Sequence, residues 1–210
     1  MSVQPAPFAE RLAARVARYG ALCVGIDPSA DLLARCGLPD SADGLVAFGA
    51  RVLEACRGEV AVVKPQSAYF ERHGSAGVAA LERVTQMAAA LGVIVLVDGK
   101  RGDIDATAAA YGESLASAAR GLHADASTWH AYLGFDALRP AFDRIVGAGG
   151  GAFVVVRSSN PEGRSLQLAR GADGRSVAET LADDVAAANR RYGGQPLGAV
   201  RLGLDRGDAL

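Results

Sequence analysis

The sequence predicts an α/β protein built from parallel βα units. Apolar runs rich in Val and Ile alternate with Ala-rich stretches of helical period. The runs are continuously apolar, as strands covered on both faces require. Successive runs start roughly 30 to 45 residues apart, room for a strand and a crossover helix. Two architectures satisfy this pattern: a doubly wound open sheet and a (β/α) barrel.

The elements follow in order. From Phe8 to Tyr19 apolar residues recur three and four apart, which predicts a helix. Leu22 to Asp27 (LCVGID) is the first strand, and Leu45 to Cys56 the next helix. Val60 to Lys64 (VAVVK) is a second strand, followed by a helix over Val78 to Leu91 with Gly92 as its C-cap. Val93 to Asp98 (VIVLVD) is the third strand and Ala106 to Ala119 its helix. Ala124 to His130 (ADASTWH) is weakly patterned and reads as a strand by its place in the series. Gly134 to Ala148 is helical, and Gly149 to Gly151 a short connector. Ala152 to Val156 (AFVVV) is a strand, Val177 to Arg190 a helix, and Gly198 to Leu204 a sixth strand. There is no internal repeat.

With 210 residues, half of them apolar, the chain suits a single domain over 1–210 with a sizeable core. Charged residues make up 21 %, and the net charge of −1 argues against a nucleic acid partner. No apolar run reaches membrane-span length, and Met1 to Glu10 lacks the apolar stretch of a secretory signal. Cys23, Cys36 and Cys56 form no CxxC pair and argue against a disulfide framework. Three histidines make a His-based metal site improbable. The chain reads as soluble and cytoplasmic.

GxGxxG and GxxxxGKS are both absent, which weakens the doubly wound alternative. Polar residues collect at strand C-terminal ends: Asp27, Lys64, Asp98, Lys100 and Ser158. Barrel enzymes place their chemistry there, although open sheets use the same edge. The most informative segment is Asp98-Gly-Lys100-Arg-Gly-Asp103-Ile104, directly after VIVLV. On an extended strand residues i and i+2 face one side, so Asp98 and Lys100 both point into the mouth. A lysine between two carboxylates keeps its proton, making it a poor Schiff-base nucleophile and a usable general acid. A satisfied ion pair at a strand end is the rival reading. Lys64 ends VAVVK, and Asp98 on the next strand is its natural partner, since an unpaired buried charge is costly; a lysine snorkelling to the rim competes. Asp27, in GIDP, either caps the next helix or binds a ligand hydroxyl.

These residues resemble a known family. DxKxxDI after a strand, with GIDP and a strand-ending KPQ upstream, is similar to the orotidine 5′-phosphate decarboxylases, in their longer bacterial subgroup. The strings stand in order: CVGIDP at 23–28, VVKPQSAYFERHG at 62–74, DGKRGDIDATAAAY at 98–111, YLGFDALRPAF at 132–142 and RSSNPEG at 157–163. The resemblance extends to about residue 196. It implies a (β/α)8 TIM barrel that converts orotidine 5′-phosphate to UMP and CO2 with no metal or organic cofactor. It implies that Lys100 protonates C6 of the pyrimidine and that Asp98 sits beside the substrate carboxylate. Lys64 and Asp103 complete an alternating Lys-Asp-Lys-Asp network. The last aspartate of the motif reaches the neighbouring subunit's site, so a homodimer is expected, with Asp103 and Thr107 acting across it. Asp27 and Lys64 fall on the ribose hydroxyls, Ser159 on the pyrimidine, and Asn160 on the same loop. The physical logic is sound: a fixed ammonium stabilises charge developing at carbon and then supplies the proton.

Three departures qualify the resemblance. Thr128-Trp129-His130-Ala131-Tyr132 replaces the family's TVNPY, by either a packing change or an altered substrate fit. Gly99 stands where Ala or another apolar residue is usual. About six βα units are visible, and the family's last two strands carry the phosphate-binding glycines and an arginine. The barrel is therefore expected to be incomplete at its C-terminal side. Arg201 and Arg206 are candidates to replace that arginine, with plain surface charges as the preferred reading. Two alternatives stay open: an inactive or noncatalytic pyrimidine-nucleotide-binding homologue, and a metal-dependent sugar-phosphate decarboxylase on the same scaffold.

Overall fold

The computed structural model describes residues 6–116 and 122–201. Helix α1 (Phe8–Tyr19) precedes β1 (Cys23–Ile26), α2 (Ala30–Arg35) and α3 (Ala42–Cys56). Then come β2 (Val62–Pro65), α4 (Ser67–Glu71), α5 (Gly74–Ala90), β3 (Ile94–Arg101) and α6 (Asp105–Ala116). After β4 (Ala126–Trp129), a 3₁₀ turn at Asp136–Leu138 leads into α7 (Arg139–Gly147) and β5 (Gly151–Arg157). A second 3₁₀ turn (Pro161–Gly163), α8 (Arg164–Gln167), α9 (Val177–Tyr192) and β6 (Leu197–Arg201) finish the described chain.

All the predicted strands form, the weakly patterned one included. The last is described as far as Arg201, and residues 202–204 of its expected span lie outside the described residues. Gly151 belongs to β5 rather than to the connector, and the C-cap of α5 is Leu91, with Gly92 left-handed behind it at φ +66. The short helices α2, α4 and α8 escape a periodicity search, because four to six residues make too few turns to show a stripe.

Strand order decides between the two architectures. Among the described residues the sheet runs β1-β2-β3-β4-β5-β6, and every adjacent pair is parallel. A doubly wound sheet reverses direction at a switch point. Here each strand is laid beside its predecessor, so the right-handed crossovers all fall on one face and the sheet rolls in the barrel manner. Within the described residues β1 pairs only with β2, and β6 only with β5.

The two faces bury different cores. Val63, Val95, Val97, Val154 and Val156 meet the helices, packing with Leu45, Leu53, Leu81 and Phe142. The opposite face turns inward: Val62, Ile94, Leu96, Ala126 and Phe153 surround Phe8 of α1. Phe8 closes the end where the strands begin. A β-carbon at Gly151 would lie 2.2 Å from its ring, so only glycine lets this plug seat. Arg11 latches α1 in place through the Asp125 carboxylate and, at 3.0 Å, the Gly149 carbonyl. Helix α9 has a capping box, with Ser176 and Glu179 satisfying each other's backbone amides, and ends on left-handed Gly193. No helix among the described residues is long and apolar enough to cross a membrane.

Candidate active site

With one end plugged, chemistry is left to the other. Two residues beyond Val62, Leu96 and Ala126 on their strands stand Lys64, Asp98 and Thr128, which the period of two turns to the same inner face. Asp98 is the hub, only 5 % exposed. Its Oδ2 accepts from Lys64 Nζ at 3.0 Å. Its Oδ1 accepts from Lys100 Nζ at 2.7 Å and from the Thr128 hydroxyl at 2.7 Å. Burial is the largest single influence on its acidity and acts to raise the pKa. The hydrogen bonds from Lys100, Thr128 and Lys64 together outweigh it, so the carboxyl is held below the ordinary value. The result is an ionised carboxylate clamped between two ammonium groups.

The route to this geometry differs from a plain extended strand. Lys100 has a left-handed backbone, φ +43, and the β3–β4 register shifts between Val97 and Arg101. Asp98 and Lys100 thus converge through a bulge rather than through simple alternation. The flanks are tied down. Gln66 Nε2 donates to the Asp98 carbonyl at 3.1 Å, and the His130 amide to the Arg101 carbonyl at 2.9 Å. The Arg101 guanidinium pairs with Glu71 and lies 5.7 Å from the Tyr111 ring centroid. A β-carbon at Gly102 would stand 2.5 Å from the His130 carbonyl oxygen, so the chain turns here only with glycine. At Gly99 a β-carbon meets nothing nearer than 3.7 Å, so that departure from the family pattern is sterically neutral.

Of the four residues in the expected network, the chain joins Lys64, Asp98 and Lys100. Asp103 is half-buried and accepts from the Ile104 amide at 2.8 Å, and no hydrogen bond or ion pair links it to Lys100 within the chain. Asp27 does not cap α2: Ser29 does, accepting from the Leu32 amide at 3.2 Å. Oδ1 of Asp27 is buried without a hydrogen-bond partner among the described residues, an acceptor left for a ligand donor. Thr107, Ser159 and Asn160 are exposed. Asn160 is bound within its loop, accepting from the Ser158 hydroxyl at 2.7 Å and donating to Glu162 at 2.9 Å. Gln167 anchors the same loop, accepting from the Ser158 amide at 3.0 Å and from the buried Arg157 at 2.9 Å.

Trp129 is fully buried on the helix side, edge-on to Phe142 at 6.0 Å, with its indole N–H on the Ser127 hydroxyl at 2.9 Å. It is a packing residue and does not line the mouth. Sequence reasoning overlooked Thr128 and Gln66 as site residues. Thr128 carried a signal, standing two positions after an inward Ala126 on a strand next to DxK.

The family model described as orotidine 5′-phosphate decarboxylase / HUMPS family matches residues 20–203. An orotidine 5′-phosphate decarboxylase of Myxococcus xanthus is 48 % identical over 210 residues, spanning 97 % of this chain and 73 % of that protein. One from Salinispora arenicola is 50 % identical, over 93 % of this chain and 69 % of its own length. A crystal structure from Streptomyces avermitilis, provisionally assigned as the same enzyme, superposes with a TM-score of 0.90 at 46 % identity, over 95 % of this chain and 70 % of that one. Leishmania donovani OMP decarboxylase superposes at 0.78 with 32 % identity, over 93 % and 70 %. The inward Lys-Asp-Lys array therefore stands in a sheet of known kind, and the chain belongs to the orotidine 5′-phosphate decarboxylase / HUMPS family.

Proposed function

We propose that this site decarboxylates orotidine 5′-phosphate to UMP, the last step of pyrimidine nucleotide synthesis. The observation that carries the reading is the contiguous Lys64–Asp98–Lys100 array on the inner face. The bond from C6 to the carboxyl carbon breaks, CO2 leaves, and the electron pair stays on C6. Lys100 Nζ, held by Asp98, stabilises that pair and then transfers its proton to C6. Asp98, already ionised, disfavours the substrate carboxylate beside it and favours its loss. Asp27 and Lys64 take the ribose hydroxyls, Asp27 through its unpartnered Oδ1. Ser159 and Asn160 stand on the loop that closes over the base.

Asp103 and Thr107 complete the site of a second copy in a homodimer. The support is that Asp103 is uncommitted to Lys100 in its own chain, and that Ile104, Tyr132 and Leu133 beside the mouth are exposed apolar residues, 49 %, 75 % and 53 % accessible. Three free cysteines suit a cytoplasmic location. The family description joins a second name, HUMPS, to the decarboxylase, but the curated relatives at 48 and 50 % identity carry the pyrimidine enzyme's name.

The test is decarboxylation of orotidine 5′-phosphate by the purified chain, with UMP and uridine titrated in parallel. Turnover supports the reading. UMP binding without turnover supports the noncatalytic alternative. Equal binding of UMP and uridine means that residues 1–210 hold no phosphate site, as the incomplete-barrel expectation has it.

A further inference from the structure

Lys100 owes its position to a backbone conformation that L side chains seldom adopt, φ +43. Such a conformation persists only where the surroundings over-determine it. Its neighbours are fixed by Gln66, His130 and Glu71, but the Lys100 amide itself donates to Thr128 Oγ1, at 3.0 Å. The same hydroxyl donates its hydrogen to Asp98 Oδ1 at 2.7 Å. Thr128 is 5 % exposed and comes from β4, across the register shift, whereas both of its partners belong to β3.

We infer that Thr128 is a positioning residue, whose single hydroxyl fixes the left-handed turn at Lys100 and aims the Lys100 ammonium and the Asp98 carboxylate at one point. The hydroxyl gives its one hydrogen to Asp98 and one of its two lone pairs to the Lys100 amide. With its only hydrogen committed to Asp98, it takes no part in proton transfer itself. Its catalytic meaning rests on the decarboxylase reading; the clamp does not.

The experiment compares wild type, Thr128→Val and Thr128→Ser. Valine has threonine's shape and loses both bonds, whereas serine keeps them. Two quantities are read: hydrogen exchange at the Lys100 amide in the free protein, and steady-state kinetics on orotidine 5′-phosphate. Thr128→Val is expected to exchange the Lys100 amide at least about tenfold faster and to lose roughly ten- to hundredfold in kcat, the scale of a sub-ångström to 1 Å misplacement, with KM within about threefold. Thr128→Ser is expected to stay within about threefold of wild type in both. Should valine not fold, Thr128→Ala takes its place with the same expected losses, and serine separates a missing hydroxyl from missing packing. Unchanged Lys100 exchange in the valine or alanine variant overturns the clamp. Faster exchange with unchanged kcat overturns the positioning role. A wild type without turnover overturns the decarboxylase reading and the catalytic role with it, while the exchange arm still decides the clamp.

Discussion

Replacing Lys100 with alanine separates chemistry from stability. Alanine keeps a β-carbon, so the strained φ of +43 is carried equally by both proteins. What disappears is the ammonium 2.7 Å from Asp98 Oδ1. In an effective dielectric of about 20, that contact is worth roughly 6 kcal/mol in gross Coulomb terms. The Lys100 side chain is 40 % exposed, so solvent screening and the hydration it regains shrink the net contribution to folding to about 1 kcal/mol or less. Asp98 also keeps Lys64 and Thr128 and is not orphaned. Catalysis has no such fallback, because no other ammonium touches Oδ1. Loss of the principal charge stabiliser and proton donor should lower kcat by at least roughly a thousandfold, about 4 kcal/mol of barrier. The measurements are turnover of orotidine 5′-phosphate and urea unfolding on the same preparations. Turnover within tenfold of wild type would remove Lys100 from the mechanism. Unfolding shifted by several kcal/mol would refute the screening argument.

Asp98→Asn leaves two ammonium groups facing each other without a neutralising charge, and should destabilise by about 3–5 kcal/mol in denaturant unfolding. Because the folded pKa of Asp98 is depressed, its contribution to stability is fully present above the unfolded-state value near 3.8 and is lost as pH falls through the lower folded value. An acid titration of stability should therefore be shallower below pH 3.8 for Asp98→Asn than for wild type, and identical slopes would contradict the assignment. Mixing Asp103→Ala with Lys100→Ala protein should regenerate some intact sites in heterodimers; subunit exchange without recovered turnover would exclude a shared site. Gly151→Ala puts a β-carbon 2.2 Å from the Phe8 ring and should lower stability by roughly 1–3 kcal/mol through displacement of the α1 plug. A combined Phe8→Ala change should remove most of the added penalty, as a double-mutant cycle would read.

Local patterns carried the reading of this chain a long way. Helix α1 has the bounds its apolar spacing predicts, Phe8 to Tyr19, because its apolar stripe, Phe8, Leu12 and Val16, repeats turn by turn against one core. The Val- and Ile-rich runs announced their strands because a strand covered on both faces needs apolar residues at every position. The DxK spacing and the strand-ending Lys64 were visible for the same reason: charges directly after such runs are conspicuous, and each needs a counter-charge. The choice between a rolled and a doubly wound sheet was not visible, since both are written as the same alternation of units; it follows from which strand lies beside which. The role of Thr128 was hidden because β4 is only four residues long and its one polar inward side chain resembles any buried threonine. That Asp27 leaves an acceptor free was equally hidden, since only the placement of Ser29 shows which residue caps α2. Periodicity and composition report what each segment buries, whereas the bulge at Lys100 and two of the three bonds on Asp98, from Lys64 and Thr128, depend on neighbours about thirty residues apart in the chain, set by strand register.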